Sequence, residues 1–273
     1  GWEHILTYCE AILRVYNLYG RRDNMYKARI KILVKSLGIE AFRKLVEDEW
    51  SYIKNGPNTI NTEELSRVKK YFSEPAYKKD IKNHLKDYES NKAFSQWLSR
   101  STNTHKKKGY RAVTFSLKET GCAPGDASST QMRAVSNLSD KYSFGEIRVS
   151  HEQNLILADV QEDELYELWN EAKEYHLVTP NIGLLTDIIC CPGGDFCSLA
   201  NAKSIPIAQS IQDLFNDMDY LHDIGNLNIN ISGCMNACGH HHVGHIGILG
   251  VDKDGSEWYQ VCLLYTSPSP RDS

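Results

Sequence analysis

FGEIRVSHEQNLILADV, residues 144–160, alternates apolar and polar side chains in two short runs separated by His151, Glu152 and Gln153. A period of two sends successive side chains to opposite faces, so each run reads as a strand and the pair as a hairpin-like unit. Upstream, YRAVTFSL (110–117) alternates in the same way, GCAPGDASST is a loop leading into a helix start, and QMRAVSNLSDKY carries the helix. Downstream, EDELYELWNEAKEYH (162–176) puts Leu165, Leu168, Trp169 and Ala172 on one helical face. The order strand, helix, strand, strand, helix over 109–178 predicts an α+β unit of ferredoxin-like type.

The flanking regions differ from it. Residues 1–54 read as helices, with Ile5, Ile12, Val15 and Leu18, then Ile30, Leu33, Val34 and Leu37, then Phe42, Leu45, Val46 and Trp50 at helical spacing. Residues 55–108 read as a charged, helical, surface-lying connection that opens on NGPNTINTEEL, where Thr62 is the expected helix cap. In 179–261 an α/β unit is expected. The apolar run TDIIC (186–190) enters a Gly-rich loop, a helix containing Leu199 and Ala202 leaves it, and a second helix follows Pro206. LNINIS (227–232) alternates as a strand, and HIGILGV, the DKDG turn at 252–255 and SEWYQV form a closing hairpin.

Composition bounds the function. The chain has 273 residues, of which 24% are charged, and a formal net charge of −4, so no overall basic field favours nucleic acid. No run of about 18 apolar residues predicts a membrane-spanning helix, and no secretion signal opens the chain. The eight cysteines are few and clustered, which points to a reducing compartment, the cytoplasm, and to metal or redox thiols. Both ends read as cuts. Gly1 enters abruptly in a helical pattern, and CLLYTSPSPRDS (262–273) resembles translated sequencing adapter, so 262–273 is set aside as a non-native tail.

Five of the cysteines lie in CCPGGDFC (190–197) and ISGCMNACGHHHVGH (231–245). Four of them pair as Cys191–Cys197, with five residues between, and Cys234–Cys238, with three between. Structural zinc prefers two to four residues between paired ligands, so the second pair suits it and the first does not. A disulfide framework disagrees with the compartment. An iron–sulfur cluster needs four thiolates on a compact cube, and Gly-rich loops let backbone wrap it and offer N–H groups to its sulfurs. Spacing favours the cluster, and zinc stays open.

TDIICCPGGDFCSLANAKSIP followed by ISGCMNACGHHHVGHIGILG resembles the C-terminal half of the siroheme- and [4Fe-4S]-dependent nitrite and sulfite reductases. YRAVTFSL through NLIL resembles that family's second ferredoxin-like half, and YNLYGRRDNMYKARIKIL the segment closing its first. The likeness is weakest over 55–105.

The resemblance implies that Cys191, Cys197, Cys234 and Cys238 ligate a [4Fe-4S] cluster and that Cys238 is also the axial thiolate of siroheme. Cys190 then ends a strand. It further implies six-electron reduction of sulfite to sulfide or nitrite to ammonia, fed by ferredoxin or a flavoprotein, with neither nucleic acid nor membrane as partner. Arg148 and Asn236 become candidate siroheme contacts, together with Gln153 and Asn154, against the plainer roles of a buried structural Arg and a turn Asn. The family's substrate-binding basic residues lie in its first half, so catalytic residues are not assigned and the chain alone is expected to be inactive. A zinc-stabilised binding module and a cluster-only electron-transfer protein are the rival functions.

Overall fold

The computed structural model describes residues 1–24, 27–79, 81, 85–88 and 90–263. The chain divides into two compact units, 1–77 and 78–273. The first holds α1 (Ile5–Tyr19), α2 (Ile30–Leu37), α3 (Ile39–Ile53) and α4 (Thr62–Lys69). Ala11, Val15, Leu33, Phe42 and Val46 form its core. Gly38 turns the chain between α2 and α3 at a φ of 81°, where a side chain would be strained. The buried stripe of α1 is Thr7, Ala11 and Val15, while Ile5 and Leu18 face solvent. The cap of α4 is Asn61, one residue before the expected Thr62, and its side chain accepts from the Glu64 N–H at 2.8 Å.

The second unit begins with α5 (Lys92–Ser101), β1 (Thr102–Thr104) and β2 (Tyr110–Phe115). Then come α6 (Ser129–Tyr142), β3 (Arg148–Val149), β4 (Leu155–Gln161) and α7 (Leu165–Lys173). The expected strand–helix–strand–strand–helix order is present. The sheet runs β1-β2-β4-β3, antiparallel throughout. In a ferredoxin-like sheet the edge beside the first strand belongs to a strand returning after the second helix. Here that edge is β1, which precedes β2, and the chain after α7 leaves for another sheet. Ser128 and Gln131 form a capping box at the start of α6.

The core joins Val113, Phe115 and Leu157 of the sheet to Leu138 of α6, Leu165 and Leu168 of α7, and Phe94 and Trp97 of α5. Residues 92–104 therefore belong to this core and sheet, a correction to their expected role as surface connection. Phe94 and Trp97 sit three apart on one helical face and pack on the Tyr166–Trp169 cluster, a contact that one isolated amphipathic turn does not announce.

The rest of the second unit is β5 (Ile189–Cys190), α8 (Ile205–Leu214), α9 (Met218–Ile224), β6 (Ile229–Ser232), β7 (Ile246–Lys253) and β8 (Ser256–Leu263). The sheet order is β5-β6-β7-β8, with β5, β6 and β7 parallel and β8 antiparallel to β7. Ile188, Ala208, Leu221, Ile231 and Ile248 fill its core. The expected helix through Leu199 and Ala202 is absent, because the backbone there bonds elsewhere: the N–H groups of Asn201 and Ala202 both donate to Gly233 O, at 2.8 and 3.1 Å. Helix α9, capped by Asp217, was not foreseen. Asp254 and Gly255 turn the closing hairpin with φ of 56° and 76°, the left-handed pair that suits a two-residue hairpin. Strand β8 continues through Cys262 and Leu263, paired with Gly247 and Ile246; residues 264–273 lie outside the described residues. No described helix is long and apolar enough to cross a membrane.

Candidate metal centre

Parallel strands β5 and β6 are hydrogen-bonded neighbours, and each ends in a cysteine loop. Cys191 follows β5 directly; Cys234 follows β6 by two residues. Loops beyond the carboxyl ends of adjacent parallel strands lie side by side, the usual place for a site in such a sheet. The connection from β6 to parallel β7 must travel the length of the strand, and residues 233–245 do so without a regular helix.

The two loops are laced by backbone. Gly233 N donates to Cys191 Sγ at 3.1 Å and Cys191 N to Ile231 O at 3.1 Å, while Gly194 N to Ala202 O at 3.0 Å closes the first loop on itself. Ser204 Oγ lies 3.5 Å from Cys191 Sγ. The glycines permit this approach. A Cβ on Gly233 would stand 2.7 Å from Ala202 O and 2.9 Å from Gly193 Cα, and one on Gly193 would stand 2.4 Å from Ser204 N. A Cβ on Gly239 would stand 1.9 Å from Ile231 O. Ala237, beside Cys238, and His240 take φ of 58° and 52°, so the left-handed residues of this loop are these two and not Asn236.

The four thiols differ in exposure. Cys191 and Cys234 are buried, Cys197 is intermediate and Cys238 is exposed. Among the described residues no three His, Cys, Asp or Glu side chains already stand close enough to hold a metal ion. The donor set fits a cluster chemically: four thiols, a backbone N–H aimed at one sulfur, and glycines that leave room for a close wrap. Cys190 has a different environment. It ends β5, its thiol donates to Cys191 O at 3.2 Å, and burial followed by the neighbouring Cys191 pushes it up to about 12. Cys190 is thus the last residue of the strand, its thiol bonded to the neighbouring backbone.

Residues 1–54 match the family described as "Nitrite and sulphite reductase 4Fe-4S domain", and residues 104–175 match the "Nitrite/Sulfite reductase ferredoxin-like half domain". In these two stretches the chain is similar to the nitrite and sulfite reductases. Among the family's curated members it is 26% identical over 254 residues to the chloroplastic ferredoxin–nitrite reductase of Spinacia oleracea, covering 91% of this chain and 36% of that protein. It is also 26% identical over 253 residues to sulfite reductase [ferredoxin] 2 of Mycolicibacterium paratuberculosis, covering 90% and 39%. The solved Mycobacterium tuberculosis NirA protein superposes with a TM-score of 0.58 at 24% identity, over 94% of this chain and 42% of that one, a likeness of fold. The chain thus spans about two fifths of the length of these family members. Both matched family stretches lie outside the two cysteine loops.

The other candidate residues fall in separate places. Arg148 is on edge strand β3 with its side chain 60% exposed, and its Nε donates to Glu146 Oε1 at 2.6 Å. It is therefore not the buried structural arginine considered above. Asn236 lies half-buried between Cys234 and Cys238. Gln153 and Asn154 are turned into the protein. Asn154 is 1% exposed, accepts from Leu117 N at 3.1 Å and donates to Asp187 Oδ1 at 3.1 Å. Beside it the ammonium of Lys118, fully buried, bonds Asp187 Oδ1 at 2.5 Å and the carbonyl of Glu152. Sequence reasoning missed this buried pair, since an isolated Lys and an isolated Asp carry no pattern. Among the histidines, His245 Nδ1 accepts from Asn228 N at 3.0 Å, and burial lowers His241, with His242 adding to the shift.

Proposed function

We propose that the chain is the C-terminal, cluster-bearing part of an assimilatory sulfite or nitrite reductase, acting in the cytoplasm. Cys191, Cys197, Cys234 and Cys238 would hold a [4Fe-4S] cluster, and Cys238 would also be a ligand of siroheme. The observation that carries this is the pairing of β5 with β6, which sets the two cysteine loops side by side and aims Gly233 N–H at Cys191 Sγ. When bound, these groups supply one-electron transfer and a haem iron for the anion, for six-electron reduction of sulfite to sulfide or nitrite to ammonia. The polypeptide orients the thiolates and shields them. The buried Cys191 and Cys234 are seated, while the less buried Cys197 and Cys238 are drawn in on binding, which couples cluster uptake to ordering of the loops. The exposed Arg148 and the half-buried Asn236 are available to siroheme carboxylates. Ferredoxin is the proposed donor, because the relatives named above carry it in their names.

The test uses the complete open reading frame, co-expressed with siroheme synthesis and purified anaerobically. Non-haem iron and labile sulfide in equal amounts, with haem bands that shift on adding sulfite or nitrite, are expected, and relative turnover then chooses the anion. A colourless zinc protein, or iron and sulfide without haem bands, overturns the proposal.

A further inference from the structure

Strand β5 is the edge of its sheet. On its inner side it pairs with β6, Cys190 lying opposite Ile231. Its outward N–H and C=O at Cys190 have no strand to meet, yet the residue is buried, and unpaired buried backbone groups are costly. The side chain of Gln153 fills the place of that missing strand. Its Nε2 donates to Cys190 O at 2.8 Å and its Oε1 accepts from Cys190 N at 2.9 Å. A carboxamide has the donor and acceptor of a peptide group, so one side chain satisfies both.

The position is built for this task. Gln153 takes a φ of 61°, unusual for a residue with a side chain. Gly125 lies against it, and a Cβ there would stand 2.9 Å from the Gln153 Cβ. The neighbours in the same turn are anchored too: Glu152 O accepts from Lys118 Nζ, and Asn154 bonds Leu117 and Asp187. Gln153 thus ties the β3–β4 hairpin to Cys190, the residue before Cys191, and Asn154 ties it to Asp187 in the same approach to β5.

We propose that Gln153 is a positioning residue for the metal centre, fixing the end of β5 so that Cys191 leaves the strand in the direction its ligation needs. This rests on Cys191 being a cluster ligand, as proposed above. It gives Gln153 a role in place of direct contact with siroheme, since both ends of its amide are engaged.

The test uses the holoprotein from the complete open reading frame with Gln153→Gly, Gln153→Glu and, as a control, Phe94→Ala. Glycine is at ease at positive φ, so Gln153→Gly relaxes the turn while removing both bonds. Glutamate keeps the acceptor and loses the donor. Cluster loss to an iron chelator is expected to quicken about 10–100-fold in Gln153→Gly, the range for losing a partner that orients a ligand. Gln153→Glu is expected to fall between it and wild type, and the electron paramagnetic resonance signal of the reduced cluster to shift in both. Phe94→Ala weakens the same half without touching β5 and should leave that signal in place. A Gln153→Gly cluster with wild-type lifetime and signal overturns the inference, as does a Phe94→Ala protein that reproduces its changes. Wild-type protein without a cluster overturns the proposed function itself, a distinguishable result.

Discussion

The backbone N–H of Gly233 donates to the Sγ of Cys191 at 3.1 Å, joining the loop after β6 to the first residue after β5. Amide donors stabilise a thiolate over a thiol, and this contact singles out Cys191 from its neighbour Cys190. Cys191→Ser is therefore expected to abolish iron and sulfide incorporation. Cys190→Ala should retain both and cost about 1 kcal/mol of stability through lost packing. Iron, sulfide and denaturation measurements on the two variants check this; equal loss of iron in both would contradict it.

Gly233→Ala places a methyl 2.7 Å from Ala202 O, a backbone atom with little freedom to yield. Overpacking of this kind costs about 1–3 kcal/mol. Denaturant midpoints should fall accordingly, and the iron content of the purified protein with them.

Phe94→Ala should destabilise the second unit by about 3–5 kcal/mol, the cost of emptying an aromatic core site. Phe94 is 1% exposed and meets Tyr166 and Trp169 edge-on, with ring centroids 5.1 and 5.5 Å away. A loss below 1 kcal/mol in chemical denaturation, on the order of a surface change, would return residues 92–101 to the role of connection.

Lys118 and Asp187 form a buried ion pair with side chains 0% and 5% exposed. Lys118→Met leaves the Asp187 charge without its counterion and should cost about 3–5 kcal/mol near neutral pH. Burial holds the Lys118 ammonium below its ordinary 10.5, opposed by Asp187. Between that lowered value and 10.5 the unfolded chain keeps a proton that the folded chain has released. The pair's contribution to stability should thus rise with pH through this window and weaken as pH falls through the folded value. Denaturation of wild type and Lys118→Met across alkaline pH reads the difference; a wild-type advantage that shrinks as pH climbs toward 10.5 would contradict the sign.

Much of the second unit is local, and local pattern revealed it. Alternation marked β2, β4 and β6, the 3.6-residue period marked α6 and α7, and Asp254–Gly255 marked the closing turn. The spacing of Cys191, Cys197, Cys234 and Cys238 pointed to a shared ligand without any coordinates. What tertiary structure alone decided depends on pairings between distant residues, which leave no period behind. Thr102–Thr104 take the sheet edge that a returning strand would fill, because backbone hydrogen bonds accept any strand of the right direction. The stretch around Leu199 and Ala202 gives up a helix because Gly233 O offers its amides a partner more than thirty residues away. Gln153 faces inward because the edge of β5 needed a donor and an acceptor at Cys190, and a carboxamide carries both.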